Sequence, residues 1–233
     1  MKNCWMQRPI RRTSVRDFTL PTRSVIPEIL DSLPGDDPEA VQSRKDLRRI
    51  NFLMGNERWV CGELKRFPRA AAFGIVEIGA GDGALCGEMA SLFPQAPIAA
   101  YDLALRPEKL AQRVTWHEGD LFTKPTPKSG GILVANLFLH HFEQAALAVL
   151  GRWVAGFDVL IFNEPDRSQL PHLLGNLLHP IINRVTRHDM HVSIDAGFAK
   201  GEMLEFLGLD ERHWQIRETS TWRGARRVVA CRI

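Results

Sequence analysis

Glu77-Ile78-Gly79-Ala80-Gly81-Asp82-Gly83 sets an acid two residues ahead of three alternate glycines. An apolar run at 73–78 leads into this loop, and a helix is expected to begin near Leu85. Glycines in a strand-to-helix turn allow a tight backbone and let a ligand approach bare N–H groups, to which the helix N-terminus adds its own. The loop points to a nucleotide-type cofactor. Gly79-x-Gly81-x-x-Ala84 also satisfies the dinucleotide pattern G-x-G-x-x-G/A, so an NAD-dependent oxidoreductase is one reading. Glu77 argues against it, because a carboxylate beside the loop repels a pyrophosphate and attracts a cation. A second chemical feature is His140-His141 at the end of another apolar run. An ordinary imidazole titrates near neutrality and can serve there as a general base. Consecutive side chains off a strand end are expected to point apart, which leaves either His140 or His141 as the base.

S-adenosylmethionine carries an ammonium and a sulfonium at its methionine end, the charges that Glu77 would attract. The run from Glu77 to Gly83 resembles the first motif, E/D-x-G-x-G-x-G, of the class I S-adenosylmethionine-dependent methyltransferases, and later motifs follow in the family's order. Asp102 ends the second strand 19 residues after Gly83, where a carboxylate can accept both ribose hydroxyls, and Leu103 follows it. Asp120 and Leu121 stand where the family carries an acid for the adenine amino group and a contact to the adenine face. Asn136 lies in the fourth run, 132–137, near its end. Leu139-His140-His141-Phe142 resembles the strand-four motif of small-molecule methyltransferases related to the ubiquinone and menaquinone biosynthesis enzymes, where the strand end faces the transferable methyl. Asn163-Glu164-Pro165 occupies a family position on the substrate side, from which Glu164 could touch substrate, orient the base or accept from the cofactor. The resemblance is firm over 73–165. It implies S-adenosylmethionine as cofactor, Glu77, Gly79, Gly81, Gly83, Asp102, Leu103, Asp120, Leu121 and Asn136 as its contacts, and a small hydrophobic or aromatic acceptor. O-methylation is favoured, since it needs only a base; a non-catalytic protein that binds the cofactor is the other reading.

Five short apolar runs at 73–78, 98–101, 114–116, 132–137 and 159–162 alternate with helical patterns at 85–93, 107–112 and 143–154. Strands without polar alternation, separated by helices, indicate a Rossmann-like, doubly wound, mostly parallel α/β sheet. Two β-like runs, 213–221 and 225–233, joined by Trp222-Arg223-Gly224, add a C-terminal antiparallel hairpin. An N-terminal helical segment at 36–70 precedes the domain at 71–233, with Asp36 or Asp37 as cap, Pro38 in the first turn and Gly55 as stop. The rhythm breaks at 166–199, an insertion expected to act as a lid. There Arg184, Arg187, His188 and Asp189 could cover the acceptor, with an arginine pairing a carboxylate or phenolate, and the apolar stretch from Leu170 to Ile182 would suit a hydrophobic acceptor. Two segments, Asp46 to Asn51 and Val185 to Asp189, resemble stretches of a bacterial subgroup associated with polyketide and phenolic-lipid pathways.

The 233-residue chain is 45% hydrophobic and 24% charged, which suits a globular domain and excludes fibrous and disordered classes. Its net charge of +3 is concentrated at the start, where Lys2, Arg8, Arg11, Arg12, Arg16 and Arg23 face Asp17 alone. The body has no basic stripe, so a nucleic-acid substrate is not expected. Residues 1–35 read as a basic, poorly ordered leader, with a transit peptide or anionic-surface contact as alternatives. Cys4, Cys61, Cys86 and Cys231 have no metal-ligand or disulfide spacing and read as reduced thiols of a cytoplasmic protein. No apolar run is long enough to span a membrane, and no carboxylate trio for a divalent metal is apparent.

Overall fold

The computed structural model describes residues 22–125, 127 and 130–233. Seven strands form one sheet: β1 (Ile75–Ile78), β2 (Ile98–Asp102), β3 (Val114–Glu118), β4 (Ile132–Asn136), β5 (Val159–Pro165), β6 (Trp214–Ser220) and β7 (Ala225–Arg232). Their order is β3-β2-β1-β4-β5-β7-β6. The first five pair in parallel and β7 pairs antiparallel with both β5 and β6, as expected for the hairpin. The chain reverses direction of travel between β1 and β4, so their carboxyl ends open a crevice at the switch point where ligands of such sheets bind.

Both faces of the sheet are covered, and β1 and β5 are buried along their whole length, which is why they lack polar alternation. One layer packs Val60, Leu64, Leu85 and Met89 against Ile75, Val134 and Ile161. The other packs Leu147, Leu150, Trp153 and Met203 against Ile78, Leu133 and Phe162. The helices concerned are α3 (Asn56–Leu64), α5 (Ala84–Leu92), α6 (Gln144–Val154) and α9 (Glu202–Phe206), preceded by α1 (Ile29–Ser32) and α2 (Pro38–Met54), with α4 (Pro68–Phe73) before β1. Asp37 caps α2 by accepting from the N–H groups of Glu39 and Ala40, and Gly55 ends it in the left-handed region.

Two expectations are corrected. Residues 107–112 are not helical: Leu110 N–H closes a turn onto Pro107 O at 3.1 Å. Arg106 takes the carbonyls of Leu110, Ala111 and Val114, and a side-chain donor competing for these acceptors favours turns over a short helix starting at proline. Residues 22–35, expected as part of a loose leader, are placed against the body by hydrogen bonds described below; residues 1–21, with Cys4 and most of the basic leader, lie outside the described residues. No described helix is long and apolar enough to cross a membrane.

The insertion forms a helical hairpin, α7 (Gln169–Leu178) and α8 (Arg184–Ala196). A polar seam fixes α8 to α2. Buried Asp46 accepts from Asn183 N–H at 2.9 Å, Asn183 Nδ2 donates to Glu39 O at 2.8 Å, and Thr186 Oγ1 donates to Ser43 Oγ at 2.9 Å. The two segments singled out by resemblance, 46–51 and 185–189, therefore lie on neighbouring helices.

Candidate active site

A cavity of about 940 Å³ lies at the carboxyl ends of β1 and β4. Its floor is the glycine loop with Glu77 and Asn136, its roof comes from α2, α7 and α8, and Glu28, His140 and His141 stand at one side. Gly79 is required: its φ is +71°, and a Cβ there would sit 2.1 Å from the Phe138 ring. A Cβ on Gly81 would meet nothing within 4 Å, so its backbone faces open space that a ligand can use. Gly83 caps α5 with φ +74°.

Glu77 is buried, and its Oε2 accepts from Cys86 Sγ at 2.7 Å. Burial pushes its pKa up to about 8 against the lowering effect of the Cys86 bond, and repulsion from Glu57, Asp102 and Asp82 adds to the rise. A carboxyl so held is a site that a cation would stabilise. Asp102 ties β2 to the loop, accepting from Gly81 N–H at 2.7 Å and Ala104 N–H at 2.8 Å. A carboxylate has about four acceptor positions, so two remain for hydroxyl donors. Asn136 Oδ1 accepts from Asn163 Nδ2 at 2.9 Å. Leu103 is solvent-exposed, Asp120 caps a short 3-10 turn through Phe122 N–H, and Leu121 is buried in the core; these three do not line the cavity.

After β4 the chain turns sharply. Leu137 has φ +56°, unusual for a side-chain-bearing residue, and a 3-10 turn carries Leu139, His140 and His141. Glu164, fully buried on β5, holds this turn: Oε1 accepts from the N–H groups of Phe138 (3.0 Å) and Leu139 (2.9 Å), and Oε2 contacts His140 Nδ1 at 2.8 Å. Of its expected roles, Glu164 therefore has the geometry for orienting the base, and it offers no face to substrate. The histidines do not point apart; their rings lie 4.2 Å between centroids at 34°, because the 3-10 turn replaces strand alternation.

The two imidazoles differ in charge. Burial alone would lower His140, but Glu164 and Glu28, whose Oε1 lies 3.8 Å from Nε2, outweigh it and hold the pKa up at about 9. His141 is open to solvent on one edge, yet desolvation by the surrounding walls, and next the charge on His140, lower its pKa. Glu28, His140 and His141 offer three ligand atoms within 4.8 Å of one another; the proton on His140 already supplies positive charge there.

The expected lid residues are corrected. Arg184, Arg187 and His188 fall on the outer face of α8: Arg184 pairs with Glu39, Arg187 Nε donates to Ile182 O, and His188 contacts Asp189. The inward stripe is Asp189, Met190, Ser193 and Ile194, of which the last two and Met190 line the cavity. Spacing of i, i+3 and i+4 puts 184, 187 and 188 together on one face, and that face is solvent. The residues missed from sequence are Glu28 and Asp189's true role, described below; the acid at 28 stood inside a stretch without periodicity.

Residues 40–155 match the model of the O-methyltransferase domain family, Methyltransf_2. In this match and in fold the chain is similar to the class I S-adenosylmethionine-dependent methyltransferases. It is 30% identical over 112 residues to acetylserotonin O-methyltransferase of Gallus gallus, a match covering 43% of this chain and 32% of that protein, so it spans about a third of the length of that relative. In structure the chain is similar to the plantazolicin methyltransferase BpumL bound to SAH, with TM-score 0.65 and 10% identity over 84% of this chain and 91% of that one. It is also similar to the pyocyanin biosynthetic protein PhzM, with TM-score 0.58 and 20% identity over 88% and 62%. A magnesium protoporphyrin IX methyltransferase from Synechocystis PCC 6803 with bound SAH gives TM-score 0.53 and 16% identity over 80% and 93%. These likenesses establish the fold.

Proposed function

We propose that this protein is a methyltransferase that binds S-adenosylmethionine on the glycine loop and methylates a hydroxyl of a small, apolar or aromatic acceptor, with His140 as general base. The observation that carries the reading is that His140, held from behind by Glu164, and the Glu77–Gly81 loop line one cavity. When bound, the cofactor supplies a methyl on a sulfonium, whose departure leaves a neutral thioether. Glu77 would take the cationic methionine end, the Gly81 backbone would meet the nucleoside, and Asp102 has two acceptor positions left that would serve its ribose. Glu164 accepts from Nδ1–H, which leaves the Nε2 lone pair of neutral His140 for the acceptor proton. A base of pKa about 9 stands within about one unit of a phenol, near 10, so proton transfer between them is close to balanced. Leu47, Ile50, Leu174, Leu178 and Met190 line the roof, which suits an apolar acceptor and keeps water from the methyl.

Calorimetric titration with S-adenosylmethionine, S-adenosylhomocysteine and NAD tests the cofactor. Micromolar binding of the first two, about 8 kcal/mol, weakened by Asp102→Ala and absent for NAD, is expected. Binding of NAD alone would return the oxidoreductase reading. Tight cofactor binding with no turnover over a panel of phenols would favour the non-catalytic reading.

A further inference from the structure

His140 is held from a direction that the sheet does not supply. Residues 22–33 run as a strap across α8. On one side of Glu28, Arg23 donates to the carbonyls of Ala196 at 2.7 Å and His140 at 2.9 Å, and its guanidinium sits 4.7 Å from the centre of the Phe198 ring. Ser24 N–H donates to Asp195 O at 3.2 Å. On the other side, the N–H groups of Ile29 and Leu30 donate to the two oxygens of buried Asp189, at 2.8 and 2.9 Å. Anchored on both flanks, Glu28 has little freedom: Ser193 Oγ donates to its Oε1, and only 11% of its side chain is exposed. That oxygen faces Nε2 of His140 while Glu164 faces Nδ1.

We propose that Glu28 is a positioning residue for the transfer, acting through His140: the docked strap brings a second carboxylate to the Nε2 edge and sets how strongly the ring holds the proton it receives. The inference rests on His140 being the base. In the step itself the acceptor O–H bond breaks and its proton goes to Nε2. The oxygen forms the new bond to the methyl carbon as the carbon–sulfur bond breaks, its electron pair going to sulfur. The resulting imidazolium lies between two carboxylates, and water removes its proton before the next cycle. The 3.8 Å from Nε2 to Glu28 Oε1 exceeds a hydrogen bond, so Glu28 stabilises the charge while leaving room for an acceptor oxygen to approach the same edge. Other charged or titratable groups around the ring are His141 beside it and Asp31 and Arg23 on the strap.

The test is an imidazole NMR titration of His140 in the full chain, paired with the pH profile of turnover, for wild type, Glu28→Gln, Glu28→Asp and Asp189→Asn. Glu28→Gln is expected to lower the His140 titration by about one pH unit or more, since one neighbouring carboxylate is lost, and to move the turnover profile by the same amount. Glu28→Asp should restore part of the shift, and Asp189→Asn, which loosens the strap, should move the titration the same way. A His140 titration unmoved in a folded Glu28→Gln, with turnover intact in wild type, overturns the inference and leaves the base assignment standing. If Glu28→Gln does not fold, an unmoved titration in both Glu28→Asp and Asp189→Asn overturns it equally. A shifted titration in an enzyme that turns over no acceptor even as wild type would remove the transfer reading and keep the coupling of Glu28 to the ring.

Discussion

Glu77 offers the sharpest quantitative test. Without a cation its carboxyl is pushed up to about 8, so at pH 7 it is about nine-tenths protonated. Binding an ammonium and sulfonium beside it favours the carboxylate, so the proton must leave. At pH 7 the uptake of one cofactor should release about 0.9 proton. If the bound form titrates below 6, the cofactor association constant should rise about fiftyfold between pH 6 and 8, the ratio set by the free-state pKa. Calorimetry in two buffers of different ionisation enthalpy reads the proton count directly. Glu77→Gln should abolish both the release and the pH slope, and bind more weakly at pH 8. An affinity flat from pH 6 to 8, with no proton released, would refute the placement of cationic charge at Glu77.

The same group has a stability consequence with the opposite sign from an ordinary salt-bridged acid. Its folded pKa lies above the unfolded value, so the folded state holds a proton that the unfolded state releases between about 4.5 and 8. Stability from this group is complete below the unfolded pKa and declines as pH rises through the window. Glu77→Gln cannot release the proton, so its Tm relative to wild type should improve from pH 5 to pH 8 in cofactor-free protein. A constant difference across that range would mean that the carboxyl is not desolvated as the structure has it.

Replacing His140 by Gln should remove turnover at every pH, while His141→Gln should retain it, and the wild-type profile should rise through about 9, because the neutral imidazole is the active form; a limb confined below pH 6.5 would assign the base to His141 instead. Gly79→Ala should lower stability by about 1–3 kcal/mol by denaturant titration, since the added carbon strikes the Phe138 ring. Gly81→Ala meets no protein atom but places a side chain at φ +54°, so it should cost some stability through backbone strain and also weaken the cofactor Kd. Leu174→Trp narrows the roof and should raise the acceptor KM while leaving the cofactor Kd unchanged. Arg184→Ala, on the solvent face of α8, should leave both constants where they are.

The sheet was legible because its strands are buried on both faces and announce themselves as uninterrupted apolar runs, and the glycine loop because its spacing answers a backbone need. Glu77 and the His pair were legible as chemistry, while their charge states were not: those depend on Cys86, Glu57, Glu164 and Glu28, which no local pattern brings together. Asp102 and Asn136 fall at the carboxyl ends of their strands as read, whereas Leu121 shows how a position in series can point into the core. Arg184, Arg187 and His188 were drawn to the site by composition. Helical phase decides otherwise, and the inward face of α8 is set by the apolar residues Val185, Val192 and Ile194 that must be buried. Glu28 and Asp189 were invisible for a different reason. Their meeting depends on chain separations of about 160 residues, and the strap has no period of its own, only backbone donors that need an acceptor.

Leu137 and Glu164 show how His140 is held before any ligand arrives. A branched side chain at φ +56° costs of order 1–3 kcal/mol and persists only where its surroundings fix it. Here the next two N–H groups and the His140 ring all converge on the one buried carboxylate of Glu164, while Leu137 N–H is bonded to Asn163 O at 2.8 Å. The bonds that offset the strain are the bonds that aim the imidazole. Replacing Glu164 by Gln keeps its size but offers one acceptor oxygen where two are used. The turn should then relax as the ring loses its partner, and the variant should lose both stability and turnover. Replacing His140 by Gln leaves both backbone donors satisfied and should cost turnover with little loss of stability.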